Sequence, residues 1–68
     1  MTDHVYKIVE IVGVSHEGED AAISAGLARA GESIRNIRWF EVIGHRGFVE
    51  ADGRLLHQVT LKVGFTLE

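Results

Sequence analysis

The last part of the chain has the clearest alternation of apolar and polar residues. From residue 55 to 67, every second position is apolar except His57, and the positions between them are mostly polar. Side chains alternate across a strand, so we predict a β-strand over residues 55–67 with one face on a core. At ~3.3 Å per residue this strand spans roughly 43 Å, whereas a compact chain of this length is about 28 Å across. Either the strand bends sharply or it leaves its own subunit to cover a neighbour, and we favour the second.

Two elements are predicted in the first half of the chain. Residues 5–13 are rich in β-branched side chains and are apolar on both faces, which is typical of a strand covered on both sides. A helix is predicted over about residues 16–33, with Ser15 as its N-cap and an Ala-rich face for close packing on a sheet. The apolar positions at helical spacing are Ile23, Leu27, Ala30 and Ile34.

Residues 37–43 form the second predicted strand, in which Phe40 and Val42 share one face. Gly44 and Gly47 then interrupt it, as at a bulge or bend, and a turn over residues 50–53 leads into the long strand. The order β-α-β-β predicts an α+β fold with a three-stranded antiparallel sheet curled over one helix, in a single domain over residues 1–68.

Composition limits the classes of function. The chain of 68 residues has no Cys, which excludes disulfides and thiolate-bound zinc and leaves oligomerisation as the support for a small core. Seven basic residues against ten acidic ones give no electrostatic basis for nucleic-acid binding. No apolar run is long enough for a membrane span, and the N-terminus does not resemble a signal peptide, so we expect a cytoplasmic protein.

Trp39 and Gln58 are the residues whose placement favours ligand binding. If Phe40 and Val42 face the helix, Trp39 and Glu41 point away from it, onto the same side of the sheet as Gln58, and we expect Trp39 to lie beside Gln58. An indole stacks on a planar heteroaromatic ring, and an amide can both donate to and accept from its polar edge. Packing of Trp39 in a subunit interface is an equally good interpretation, since aromatic residues are enriched there.

The remaining candidates are weaker. The four histidines have no metal-ligand spacing, so no metal site is predicted, and His57 is expected to be a hydrogen-bonded core or interface residue. Glu41 with His45 or Glu10 offers an acid and a base, but such groups are usually ordinary surface residues. Arg46, on a glycine-flanked turn, could reach a phosphate or ribityl chain, although such an arginine is more often solvated.

The sequence resembles the dodecin family along nearly its whole length. The WFEV and QVTLKVGF blocks are the specific part of the resemblance. The matching residues are Val5-Tyr6-Lys7, Glu10-Ile11-Val12-Gly13, Ser15, Ala21-Ala22, Ala25, Ala28-Arg29-Ala30, Asn36, Trp39-Phe40-Glu41-Val42, Arg46-Gly47 and Gln58-Val59-Thr60-Leu61-Lys62-Val63-Gly64-Phe65.

The resemblance implies a hollow homododecamer that binds flavins in pairs at interfaces between subunits. It implies that Trp39 from two subunits flanks two stacked flavins, that Gln58 hydrogen-bonds the isoalloxazine edge, and that Arg46 lies toward the flavin tail. The implied role is flavin storage and protection with quenching by the stacked Trp, without catalytic turnover. A flavin-dependent enzyme and a purely structural oligomeric module are the competing hypotheses.

Three positions depart from the family pattern and affect the choice of flavin. Arg38 stands where an acidic residue is commoner, His57 where an aromatic residue is usual, and Thr66 where an arginine often follows the Gly-Phe pair. Thr66 removes a possible phosphate contact, whereas Arg38 adds a cation beside Trp39. Because two nearby arginines still favour an anionic tail, we expect FMN, with riboflavin as the alternative.

Overall fold

The structure, a computed structural model, describes residues 4–67. It has the predicted element order: strand β1 (Tyr6–Ser15), helix α1 (Glu19–Ala30), strand β2 (Ile37–Val49) and strand β3 (Leu55–Thr66). The three strands form one antiparallel sheet in the order β1-β3-β2. The prediction of a β-α-β-β fold with a three-stranded antiparallel sheet and one helix is therefore confirmed.

The long strand β3 is the centre of the sheet. It pairs with β1 from Tyr6↔Thr66 to Ser15↔His57, and with β2 on its other edge. Val59, Leu61 and Val63 are completely buried, as the alternation of residues 55–67 predicts. Burial of a side chain of this kind contributes roughly 1.5–3 kcal/mol, so these three residues form the centre of the hydrophobic core.

Helix α1 lies over β1 and β3 and leaves most of β2 uncovered. The buried residues Ala22 and Ala30 face the sheet, and Ile23 and Leu27 pack against the core. Phe40 and Val42 pair with Val63 and Leu61, so they are on the predicted face. They are nevertheless 47% and 39% exposed. The expectation that they pack on the helix was wrong, because the helix packs mainly on β1 and β3.

The helix is shorter at both ends than its sequence pattern predicts. It begins at Glu19 after Gly18, which is the N-cap residue with φ 132° and no side-chain cap. Ser15 therefore does not cap the helix; its hydroxyl accepts a hydrogen bond from the backbone N–H of Glu17 at 3.0 Å. Glu19 and Asp20 lie in the first turn, where the positive end of the helix dipole stabilises acidic side chains. At the other end, residues 31–33 form a turn after Ala30.

Strand β2 continues through both glycines that were predicted to interrupt it. Gly44 marks a register shift after Val42, which is the bulge predicted there, and pairing with β3 then resumes as far as Val49↔Leu55. The strand ends at a tight turn, in which the N–H of Gly53 donates to the carbonyl of Glu50 at 2.8 Å. Gly53 has φ 87°, a conformation in which a side chain is strained.

The molecule is elongated because the β2–β3 hairpin extends beyond the helix. Its principal dimensions are 55 × 21 × 14 Å, and its radius of gyration is 14.1 Å, compared with about 11 Å for a compact chain of this length. On the hairpin end, Phe48, Val49 and Leu55 are exposed. The long strand thus extends past its own core, as its length predicts. No helix within residues 4–67 has the length and hydropathy needed to cross a membrane.

Gly13 allows the helix to approach β1 at the closest point. A Cβ atom at this position would overlap the backbone carbonyl oxygen of Ala22. Gly26, on the helix, faces the same point, and a Cβ there would lie 3.4 Å from the Cα of Gly13. The close packing expected of the Ala-rich helix therefore depends on Gly13, where the obstacle is backbone rather than a movable side chain.

We predict that Gly13→Ala lowers the free energy of unfolding by ~1–3 kcal/mol, the usual cost of overpacking a well-packed site. Urea-induced unfolding followed by circular dichroism measures the change. Gly44→Ala is the matched control, since a Cβ there meets no atom within 4 Å. Equal stability of the Gly13→Ala variant and the parent would show that the helix can move away at no cost.

Candidate functional site

Trp39 lies on the sheet face opposite the helix, which we call the outer face and define by Gln58, Thr60, Lys62 and Gly64. It pairs with Gly64, and a Cβ on Gly64 would overlap the indole ring, so the ring lies over the glycine. The ring of Tyr6 contacts the indole edge-on, with centroids 6.3 Å apart. The outward placement predicted for Trp39 is therefore confirmed, and Gly64 provides the space for its ring.

The bulge in β2 places Arg46 on the same outer face. Before the bulge, Trp39 and Glu41 pair with the outer-face residues Gly64 and Lys62. The extra residue then reverses which residues of β2 point to which face of the sheet. As a result, Arg46 is on the outer face and pairs directly with Gln58. Without the bulge, Arg46 would point to the helix side. Val14 of β1 is the other neighbour of Gln58, and all three residues share one row across the sheet.

Trp39 is not beside Gln58 within one subunit. The partner of Trp39 is Gly64, which is six positions from Gln58 along β3, a separation of about 20 Å along the strand. The expectation that the indole and the amide adjoin in the same chain was therefore wrong. The sequence pattern gave the correct face, but the position along β3 depends on the register of the two strands.

The other polar residues considered above lie in separate places. Glu41 and Glu10 both pair with Lys62 on the outer face. His45 pairs with Val59, so it points to the helix side and cannot act together with Glu41 across the sheet. Of the departures from the family pattern, Arg38 is exposed next to Trp39. Thr66 is 7% exposed, and its hydroxyl oxygen is buried.

A histidine cluster on the helix side was not predicted from the sequence. His45 Nε2 lies 3.0 Å from His57 Nδ1, at hydrogen-bonding distance. The other ring nitrogen of His45, Nδ1, is 3.7 Å from a carboxylate oxygen of Glu19 at the start of α1. His57 is thus hydrogen-bonded, as expected. Its partner could not be identified from spacing, because the bulge decides which face His45 occupies.

Gly64→Ala is predicted to displace the indole of Trp39 while leaving the sheet intact, since the new methyl group would occupy the position of the ring. Trp39 is the only tryptophan in the chain, so its fluorescence emission and near-ultraviolet circular dichroism report directly on the move. We expect a changed emission maximum with unchanged far-ultraviolet circular dichroism. Gly47→Ala, where a Cβ would be 3.9 Å from the Leu56 carbonyl oxygen, is the control. Identical indole spectra in the two variants would contradict the stacking of Trp39 on Gly64.

Comparison with known proteins agrees with the geometry of the sheet and its single helix. The Dodecin family model matches residues 5–68. Dodecin from Thermus thermophilus is 53% identical over 64 residues, covering 94% of this chain and 93% of that protein. The structure of dodecin from Streptomyces davaonensis superimposes with a TM-score of 0.92 at 43% identity, and 98% of each chain is covered.

A more distant relative carries a different ligand in its name. The calcium dodecin of Mycobacterium tuberculosis is 30% identical over 63 residues, covering 93% of this chain and 89% of that protein. A family model that spans almost the entire chain, relatives matched over nearly their full length and close structural similarity all lead to the same assignment: this chain belongs to the dodecin family.

Proposed function

We propose that the protein is a homo-oligomeric flavin-binding protein that stores flavin and protects it from photochemistry. The observation that carries the proposal is the outer-face position of Trp39, whose half-buried indole lies over Gly64. A flat indole on an open sheet face is a stacking surface for a planar ring. Gln58 and Arg46, paired on the same face, supply an amide for the polar edge of the ring and a cation for the tail.

Such a site is shared between subunits. Within one chain, Trp39 and Gln58 are about 20 Å apart along β3, which is longer than the three fused rings of an isoalloxazine. A flavin that stacks on Trp39 of one subunit and bonds to Gln58 must therefore use the Gln58 of another. The separation that contradicted the simple picture of adjacent residues thus supports a binding site at an interface.

The exposed apolar surface supports assembly of several copies. On the outer face of β1, Tyr6, Ile8, Val12 and Val14 are each 44–53% exposed. A chain of 68 residues without cysteines has a core of marginal stability by itself. Burying these side chains against other copies would stabilise it. The dodecamer implied by the family resemblance is the assembly that we propose, with paired flavins at its interfaces.

Two alternative functions have less support. An enzyme would need an acid and a base acting together, but Glu41 and His45 lie on opposite faces of the sheet. Calcium binding, which the name of the mycobacterial relative suggests, requires six to eight oxygen ligands. Within residues 4–67 of one subunit, no group of three His, Cys, Asp or Glu side chains is arranged to hold a metal ion. We therefore prefer flavin, held without turnover.

Trp39→Ala is predicted to weaken FMN binding by ~1–3 kcal/mol, the usual contribution of an aromatic stacking partner, and Trp39→Phe by less. The measurement is the quenching of FMN fluorescence on adding protein, with riboflavin titrated in parallel. We expect strong quenching near one flavin per chain for the parent. Size-exclusion chromatography serves as the control that each variant keeps its assembly. Absence of quenching by the parent with either flavin would refute the proposal.

Replacing Arg46 with alanine is expected to weaken FMN binding by ~1.5–3 kcal/mol, the range for a hydrogen bond to a charged group, and to change riboflavin binding little. The reason is that only FMN carries a phosphate for the guanidinium. Arg29→Ala removes the same charge from an exposed site on the helix, where the arginine is 3.9 Å from Glu32. Equal losses for the two flavins in Arg46→Ala would mean that Arg46 does not contact the tail.

A further inference from the structure

The histidine cluster on the helix side of the sheet has no part in the proposed flavin site. His45 and His57 are twelve residues apart and belong to neighbouring strands. Their rings meet with Nε2 of His45 facing Nδ1 of His57 at 3.0 Å, with centroids 5.1 Å apart and planes inclined by 40°. The two rings therefore approach through their nitrogen atoms rather than by stacking.

The distance between these nitrogens suits two ligands of one metal ion. Imidazole nitrogens bind zinc at ~2.0–2.1 Å, so two neighbouring ligands in octahedral or tetrahedral geometry are about 2.9–3.4 Å apart. A metal ion at the 3.0 Å contact requires both rings to rotate, so that the two nitrogen lone pairs converge on the ion instead of pointing along the line between the nitrogens. The metal ion replaces the hydrogen bond between the rings. The imidazole that donated the shared proton then carries it on its other ring nitrogen, which points away from the metal.

Glu19 is placed to favour this arrangement. Its carboxylate is 3.7 Å from Nδ1 of His45, the nitrogen that points away from His57. A carboxylate there favours the proton on Nδ1 and leaves the lone pair of Nε2 free for a metal. Metal-binding histidines commonly have such a carboxylate behind them, which fixes the tautomer and orients the ring. Glu19 is thus a positioning residue and not a ligand.

The cluster is accessible and offers two protein ligands. The side chains of His45 and Glu19 are 33% and 42% exposed, so an ion and its water ligands can approach. Within residues 4–67, no third His, Cys, Asp or Glu side chain completes a ligand set. We propose that His45 and His57 form a two-histidine site for a divalent transition-metal ion that prefers imidazole, such as Ni²⁺, Cu²⁺ or Zn²⁺. Water completes the coordination sphere.

Isothermal titration calorimetry of the tag-free protein with Ni²⁺ tests the site. The parent is expected to bind one Ni²⁺ per chain. Loss of an outer-shell partner typically lowers metal affinity ~10–100-fold, and Glu19→Gln should lower the Ni²⁺ affinity by about tenfold. His45→Asn and His57→Asn each remove a ligand, so each should lower the affinity by more than this range. With Cu²⁺ in place of Ni²⁺, electron paramagnetic resonance of the parent should show two nitrogen ligands, and of His57→Asn only one.

His16→Asn is the matched control, because it also removes one histidine that contacts a glutamate, His16 Nε2 being 2.9 Å from Glu50. It should leave Ni²⁺ binding unchanged. Far-ultraviolet circular dichroism verifies that each variant is folded. Three results would overturn the site: no Ni²⁺ binding by the parent, an equal loss in His16→Asn, or folded His45→Asn and His57→Asn variants that bind as tightly as the parent.

Discussion

The two-sided pairing of β3 is the constraint on which the rest of the molecule depends. Because β3 lies between β1 and β2, its backbone is hydrogen-bonded on both edges, and its side chains divide strictly between the two faces. Val59, Leu61 and Val63 bury one face under the helix. The same alternation sends Gln58 and Gly64 to the outer face. Core formation and the display of the proposed flavin-binding residues are therefore two consequences of one strand.

The bulge between Val42 and Gly44 divides β2 into two parts whose side chains alternate in opposite phase between the two faces. Before it, Trp39 shares the outer face; after it, Arg46 shares that face and His45 the other. One inserted residue inverts every later side chain of the strand. It therefore decides both which arginine accompanies Gln58 and which histidine meets His57. Two unrelated clusters, one on each side of the sheet, depend on the same local irregularity.

The small size of the chain links its stability to its function. One helix covers two strands of three, so apolar side chains such as Phe40, Ile43 and Phe48 remain 44–47% exposed. A surface of this kind is stabilised when other copies cover it. Trp39 and Gln58, the groups of the proposed flavin site, lie at opposite ends of the same outer face. In the proposed assembly, the same contacts between subunits would stabilise the chain and complete its binding site.

The sequence by itself determined the order of the elements, the buried face of β3 and the outward direction of Trp39. These features follow from local periodicity, since a strand of alternating residues has only one apolar face to bury. The start of the helix was misplaced because Gly18, not Ser15, caps the helix, and periodicity alone does not locate a cap. Only the tertiary structure decided that Trp39 lies on Gly64 rather than beside Gln58, and that His45 meets His57. Both depend on strand register and on the exact site of the bulge, which are set by pairing between distant segments and not by the sequence of either one.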